Sequence, residues 1–207
     1  MADSTIKSIG LFIDGGYYAD IDKGLLAESR RLNLKGLIKY LQKAIAEKYG
    51  LATEQCLVTE SHFYRGRFRS MDAKKAGKLE SDRIFEDRLI ENDVIFHYKH
   101  IREMEDGSIK EKGIDVWFAL ETYELAMYRD FDFVVLVTGD ADHEMLARKI
   151  KALKKQVVLL TWNFDESDST SPALREEVTF HIDLNKITAA NPELKQHICQ
   201  AASRLVL

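Results

Sequence analysis

An α/β fold, with a mostly parallel sheet and helices on both faces, follows from three observations in the 207-residue sequence. Uninterrupted apolar runs occur at Phe133-Val-Val-Leu-Val137 and Val157-Val-Leu-Leu160, and a third strand is read at Ile9-Gly-Leu-Phe-Ile13. Runs without polar alternation suit strands that are covered on both sides. Segments with helical spacing separate them, and alternation of strand and helix is the pattern of a parallel sheet. Two of the strands also end in acid: Asp14 follows Ile13, and Val137 is followed by Thr138-Gly-Asp-Ala-Asp142. Open α/β sheets bind ligands beyond the carboxyl ends of their strands, so these acids fall where a site is expected.

Taken in order, the first strand delivers Asp14 and then Gly15-Gly16, which reads as a flexible turn. Leu34, Leu37, Ile38, Leu41, Ile45 and Tyr49 share one helical face, and Gly50 is placed to end that helix. Cys56 to Tyr64 predicts a second strand that exits into a basic loop. From Arg65 to Lys78 that loop carries six basic residues against the single acid Asp72, a local charge of +5, with Tyr64 and Phe68 interleaved. Guanidinium groups beside rings suit a nucleic-acid backbone with an unstacked base, and equally a solvated surface loop.

Leu79 to Asn92 predicts a helix and Val94 to Lys99 a strand; Glu103 to Lys112 reads as a polar hairpin or lid. Lys112-Gly-Ile-Asp115 then opens an amphipathic helix, with Asp115 in its first turn. A carboxylate there is a natural cap, whereas Gly113 permits close backbone approach and Lys112 suits a phosphate. Asp142 is likewise a candidate cap for the helix that carries Leu146, Ile150 and Leu153. Beyond the strand from Val157 to Trp162, the polar segment Asn163 to Ser171 overhangs the same edge as Asp140. Ser171-Pro172 predicts a capped helix start, Val178 to Leu184 a last strand, and Asn191-Pro192 the start of a closing helix bearing Leu194, Ile198, Ala202 and Leu205.

Composition sets the bounds. With 45% apolar and 31% charged residues, the chain suffices for one domain, expected over residues 1–190. Residues 191–207 then form a helix packed on that domain or on the partner in a homodimer. A net charge of −4 means that any affinity for nucleic acid must come from a local basic patch. Cys56 and Cys199 stand far apart without a Cys/His cluster, which argues against a disulfide framework and a zinc site. No stretch approaches the length of a membrane span, and the apolar run before Asp14 is too short for a signal peptide, so a cytoplasmic protein is expected.

Asp14, Asp115, Asp140 and Asp142 all fall at strand ends or helix starts, and in a doubly wound sheet they can meet at one edge. Clustered carboxylates repel unless a hard divalent cation neutralises them, and Mg²⁺ is commonly held by a few carboxylates plus waters. The set Phe12-Ile-Asp-Gly15, Lys112-Gly-Ile-Asp115 and Thr138-Gly-Asp-Ala-Asp142, followed by a helix and Val157 to Leu160, resembles the NYN domain family of PIN-like nucleases from about Ile9 to Leu184. The resemblance implies a Rossmann-like fold and a ribonuclease dependent on Mg²⁺ or Mn²⁺, with all four aspartates as metal ligands and catalytic groups. Single-stranded RNA is the expected substrate, contacted by Lys112, Arg65, Arg67, Arg69 and Thr138. Many relatives carry an asparagine shortly after the first aspartate, where this chain reads Gly15-Gly16-Tyr17-Tyr18. Two other functions fit parts of the pattern. A haloacid-dehalogenase-like phosphatase would use Asp14 as nucleophile, but it needs a second acid where Gly16 stands. A non-catalytic RNA-binding protein would keep the fold and the basic loop without cleavage.

Overall fold

The computed structural model describes residues 5–103, 109–110, 113–164 and 170–202. In chain order they form β1 (Lys7–Asp14), α1 (Gly15–Leu26), β2 (Arg30–Leu32), α2 (Leu34–Tyr49), β3 (Cys56–Arg67), α3 (Ser70–Lys75), α4 (Leu79–Glu91) and β4 (Val94–His100). A small hairpin follows, β5 (Arg102–Glu103) paired antiparallel with β6 (Ile109–Lys110). Then come α5 (Ile114–Tyr128), β7 (Phe133–Val137), α6 (Glu144–Ala152), β8 (Gln156–Thr161), α7 (Pro172–Glu177), β9 (Phe180–Asp183), α8 (Leu184–Ala190), α9 (Pro192–Ile198) and β10 (Cys199–Ala201).

The central sheet has the order β4-β3-β1-β7-β8-β9, and every neighbouring pair in it is parallel. Side chains alternate across it as the period of a strand requires. Ile9, Leu11, Ile13, Val135, Val137, Val158 and Leu160 face one buried cluster, completed by α1 and α2. Phe12, Val134, Leu136, Val157 and Leu159 face the other, completed by α5, α6 and α7. Burial on both faces explains why these strands carry no polar alternation. The chain runs outward from β1 to β3 and β4, then returns to the opposite side of β1 as β7, β8 and β9. The strand order therefore reverses between β1 and β7, which is where such folds open a crevice.

Three local readings change. Gly15-Gly16 starts a helix rather than a turn: Asp14 caps α1 by accepting the N–H groups of Gly16 and Tyr17. A Cβ on Gly15 would stand 2.5 Å from the Tyr64 carbonyl oxygen, so glycine is needed for α1 to start this close to β3. The basic segment after Tyr64 is not all loop. Strand β3 continues through Arg67, where it still pairs with β4, and Ser70–Lys75 is helical. The closing helix is also shorter than its apolar spacing predicts. It ends at Ile198, and Cys199–Ala201 instead pairs antiparallel with Arg30–Leu32. Leu205 lies outside the described residues.

Candidate active site

The register brings the two acidic strand ends together. Ile13 of β1 lies opposite Val137 of β7, so Asp14 and the Thr138-Gly-Asp-Ala-Asp142 segment leave the sheet side by side. Thr138 ties them: its buried hydroxyl donates to Asp14 Oδ2 at 3.3 Å and accepts the Asp140 N–H at 3.2 Å. Asp14 Oδ1 accepts from Gly16 N–H at 2.8 Å and Tyr17 N–H at 3.3 Å. These donors, rather than a following asparagine, hold the first aspartate. Thr138, fully buried, thus links the Asp14 carboxylate to the backbone of Asp140 from within.

Asp140 is exposed, and its Oδ1 accepts the Asp142 N–H at 3.0 Å, capping a short 3-10 turn over Ala141–His143. The cap is therefore Asp140, whereas Asp142 sits inside the turn, exposed. The carbonyl of Gly139 accepts the Ser171 N–H at 3.2 Å, which fastens this turn to the start of α7. Asp115 is exposed in the first turn of α5, where Gly113, at a φ of 79°, is the residue before the helix. That left-handed backbone explains the glycine. Asp115 is not the cap, and its charge is felt at Asp14. Burial pushes the Asp14 carboxyl above its usual range; the amides of Tyr17 and Gly16 and a charge on His143 oppose that, and Asp115 adds to it.

His143 was not legible as a site residue. Its ring is 1% exposed, packs on Phe118 with centroids 4.7 Å apart, and has no hydrogen-bond partner at either nitrogen among the described residues. Lys99 is a second addition, since its Nζ lies 2.9 Å from where a Cβ on Gly113 would stand. Lys112 itself lies outside the described residues.

On the other flank of Asp14, Arg65, Arg67, Phe68 and Lys78 line a hollow of about 380 Å³ together with Gly15 and Gly16. Arg65 lies over the Phe85 ring, and Arg67 pairs with Glu86 at 2.9 Å while stacking on Tyr98. Arg69 is exposed before α3 and does not line the hollow. Opposite, beside Asp140, α1 and the end of β8 enclose a cleft of about 570 Å³.

Among the described residues, no three acidic, histidine or cysteine side chains are spaced to hold an ion. A dry cage made only of protein ligands therefore does not fit. A hydrated Mg²⁺ or Mn²⁺ on one or two carboxylates does, because such ions keep several waters and the donors here are hard oxygens on an exposed rim.

A family model for the NYN domain matches residues 8–185. The chain belongs to the NYN domain family. That span runs from β1 into the start of α8, so this PIN-like, nuclease-type domain accounts for the whole central sheet. Neither a curated protein nor a solved structure matches the chain.

Proposed function

We propose that this NYN domain hydrolyses phosphodiester bonds of RNA, with Asp14 and Asp140 as the core of a site for Mg²⁺ or Mn²⁺. The observation that carries the reading is the arrival of Asp14 and Asp140 on adjacent strand ends at the switch point of the sheet, the Asp14 carboxylate tied through Thr138 to the Asp140 N–H. When bound, the ion supplies charge stabilisation at the phosphate and a lowered pKa for water. The remaining work belongs to the chain. Thr138 and the α1 amides hold Asp14 in one orientation, so little reorganisation is needed when charge develops. Asp115 and Asp142, exposed and on the same edge, are the acceptors for the proton lost by the attacking water. Arg65, Arg67 and Lys78, which line the hollow beside Asp14, bind the flanking backbone.

Attack by water with loss of the 3′ oxygen leaves 5′-phosphate ends. The test is end analysis of labelled single-stranded RNA with Mg²⁺ or Mn²⁺, a chelator control and Asp140→Asn. Cleavage that stops with chelator and in the variant, with 5′-phosphate products, supports the reading. Cleavage that survives either change contradicts it. Salt-sensitive binding with no cleavage of varied RNAs would turn the assignment to an RNA-binding protein, the reading favoured if the carboxylates never close around an ion.

A further inference from the structure

The cleft on the Asp140 side differs in kind from the basic hollow on the Asp14 side. One wall is α1, through Tyr17, Ile21 and Gly24; the other is the chain leaving β8, through Trp162, Asn163 and Phe164; the Gly139–Asp140 turn completes the lining. The walls are joined in advance. The Tyr17 hydroxyl accepts the Trp162 N–H at 3.0 Å and donates to Asn163 Oδ1 at 3.4 Å, and Asn163 Nδ2 donates to Thr170 Oγ1 at 2.9 Å. Trp162, 2% exposed, stacks on Phe164, 38% exposed, with centroids 5.5 Å apart and planes within 10°.

Phe164 has its place because residue 24 is glycine. A Cβ there would stand 2.5–2.8 Å from three atoms of the Phe164 ring. A volume of about 570 Å³ exceeds what a side-chain rotamer needs and lies in the range of small-ligand pockets. Rings at the wall, the exposed Lys23 and the candidate-site residue Asp140 in the lining describe a receptor for a flat aromatic group attached to a phosphate.

We infer that this cleft receives the unpaired base of the nucleotide on one side of the scissile phosphate, while the backbone on the other side lies in the hollow of Arg65 and Lys78. The inference rests on the nuclease reading for the position of the phosphate and goes beyond it in assigning a base subsite. RNA then crosses the first turn of α1, with base contacts on the Asp140 side and phosphate contacts on the Asp14 side. Paired RNA is excluded, because a base must leave its stack to enter.

The experiment has two arms. In the first, done with chelator present and without turnover, adenosine 5′-monophosphate and ribose 5-phosphate are titrated against Trp162 fluorescence in a Trp117→Phe background. Saturable quenching by the nucleotide and not by the sugar phosphate is expected. Phe164→Ala should weaken it on the order of tenfold, the usual worth of one base–aromatic stack. Gly24→Val, which displaces Phe164 without touching an acid, should weaken it similarly, with circular dichroism confirming that both variants are folded. In the second arm, abasic sites are placed in turn on each side of the cleaved bond of an RNA substrate. Cleavage should fall on one side only, and that asymmetry should vanish in Phe164→Ala. Equal binding of nucleotide and sugar phosphate, no saturable binding of either, or cleavage indifferent to abasic sites on both sides would overturn the subsite. Nucleotide binding with no cleavage of any RNA would instead keep the subsite and overturn the nuclease reading.

Discussion

Asp14 and Asp140 have the same origin in sequence, an apolar strand that stops at an acid, and the fold treats them differently. Asp14 is half-buried, bonded by two amides and a hydroxyl, and its carboxyl is pushed upward by burial and by Asp115. Asp140 is exposed, and the bond given to its side chain is the Asp142 N–H. One carboxylate is held at a cost in desolvation, and the other is left open to solvent. In the proposed site the two divide the work: the first would give geometry, the second access. Thr138 is the hinge of the difference, since one hydroxyl serves both residues.

The largest effect expected from breaking this pair is on rate. Asn at position 14 or 140 keeps the shape and removes a charge, and each should reduce RNA cleavage on the order of 100-fold or more in single-turnover assays. Stability separates the two. A carboxyl whose folded-state pKa is raised contributes stability below its unfolded value of 3.8, and this is lost as pH rises through the folded value. At neutral pH without metal, Asp14→Asn should therefore melt above the parent, with the gain disappearing in acid, while Asp140→Asn should melt close to the parent. Equal shifts in the two variants would remove the distinction.

A smaller effect is expected at Thr138. Thr138→Val preserves the volume but leaves the Asp140 N–H and one lone pair of Asp14 without their partner. About 1–3 kcal/mol of stability should be lost in denaturant titration, with a reduced rate. An unchanged rate would mean that Asp14 does not depend on the link. Smaller again is the contribution of single arginines. Arg65→Ala should lower the salt slope of single-stranded RNA binding by about 0.7, one phosphate contact. Arg69→Ala, outside the hollow, should change it less.

Much of this contrast was legible in the sequence. The runs before Asp14 and after Asp132 are apolar enough to mark buried strands, and their acidic ends point to the site without any long-range information. What escaped depends on contacts between distant segments. Gly15-Gly16 reads as a turn by propensity, yet the Asp14 cap and the close approach to Tyr64 make it a helix start. Ile198 to Ala202 has helical spacing, but pairing with Arg30–Leu32 draws Cys199–Ala201 into a strand. His143 looks like an ordinary residue near a helix start, and only the packing against Phe118 reveals a buried ring without a hydrogen-bond partner among the described residues.

The histidine pair on β3 and β4 provides the smallest expected effect. His62 Nδ1 and His97 Nε2 are 3.0 Å apart, with Glu60 beside His62 and Glu121 beside His97. Burial holds both imidazoles below the usual 6.5, with Glu60 and Glu121 opposing it. A lowered folded-state value means that the unfolded chain takes up protons first. Stability should be full above pH 6.5 and decline as pH falls through the folded values. A pH series of urea melts should show this decline, and His97→Gln should flatten it.

The central claim is that the open and the held carboxylate share one ion. Anomalous diffraction from crystals soaked in Mn²⁺ tests it most directly. A peak within ligand distance of Asp140, bridged directly or through one water to Asp14 and absent in Asp140→Asn, is the predicted result. A peak bound elsewhere, or no peak at this edge while RNA is still cleaved, would contradict it.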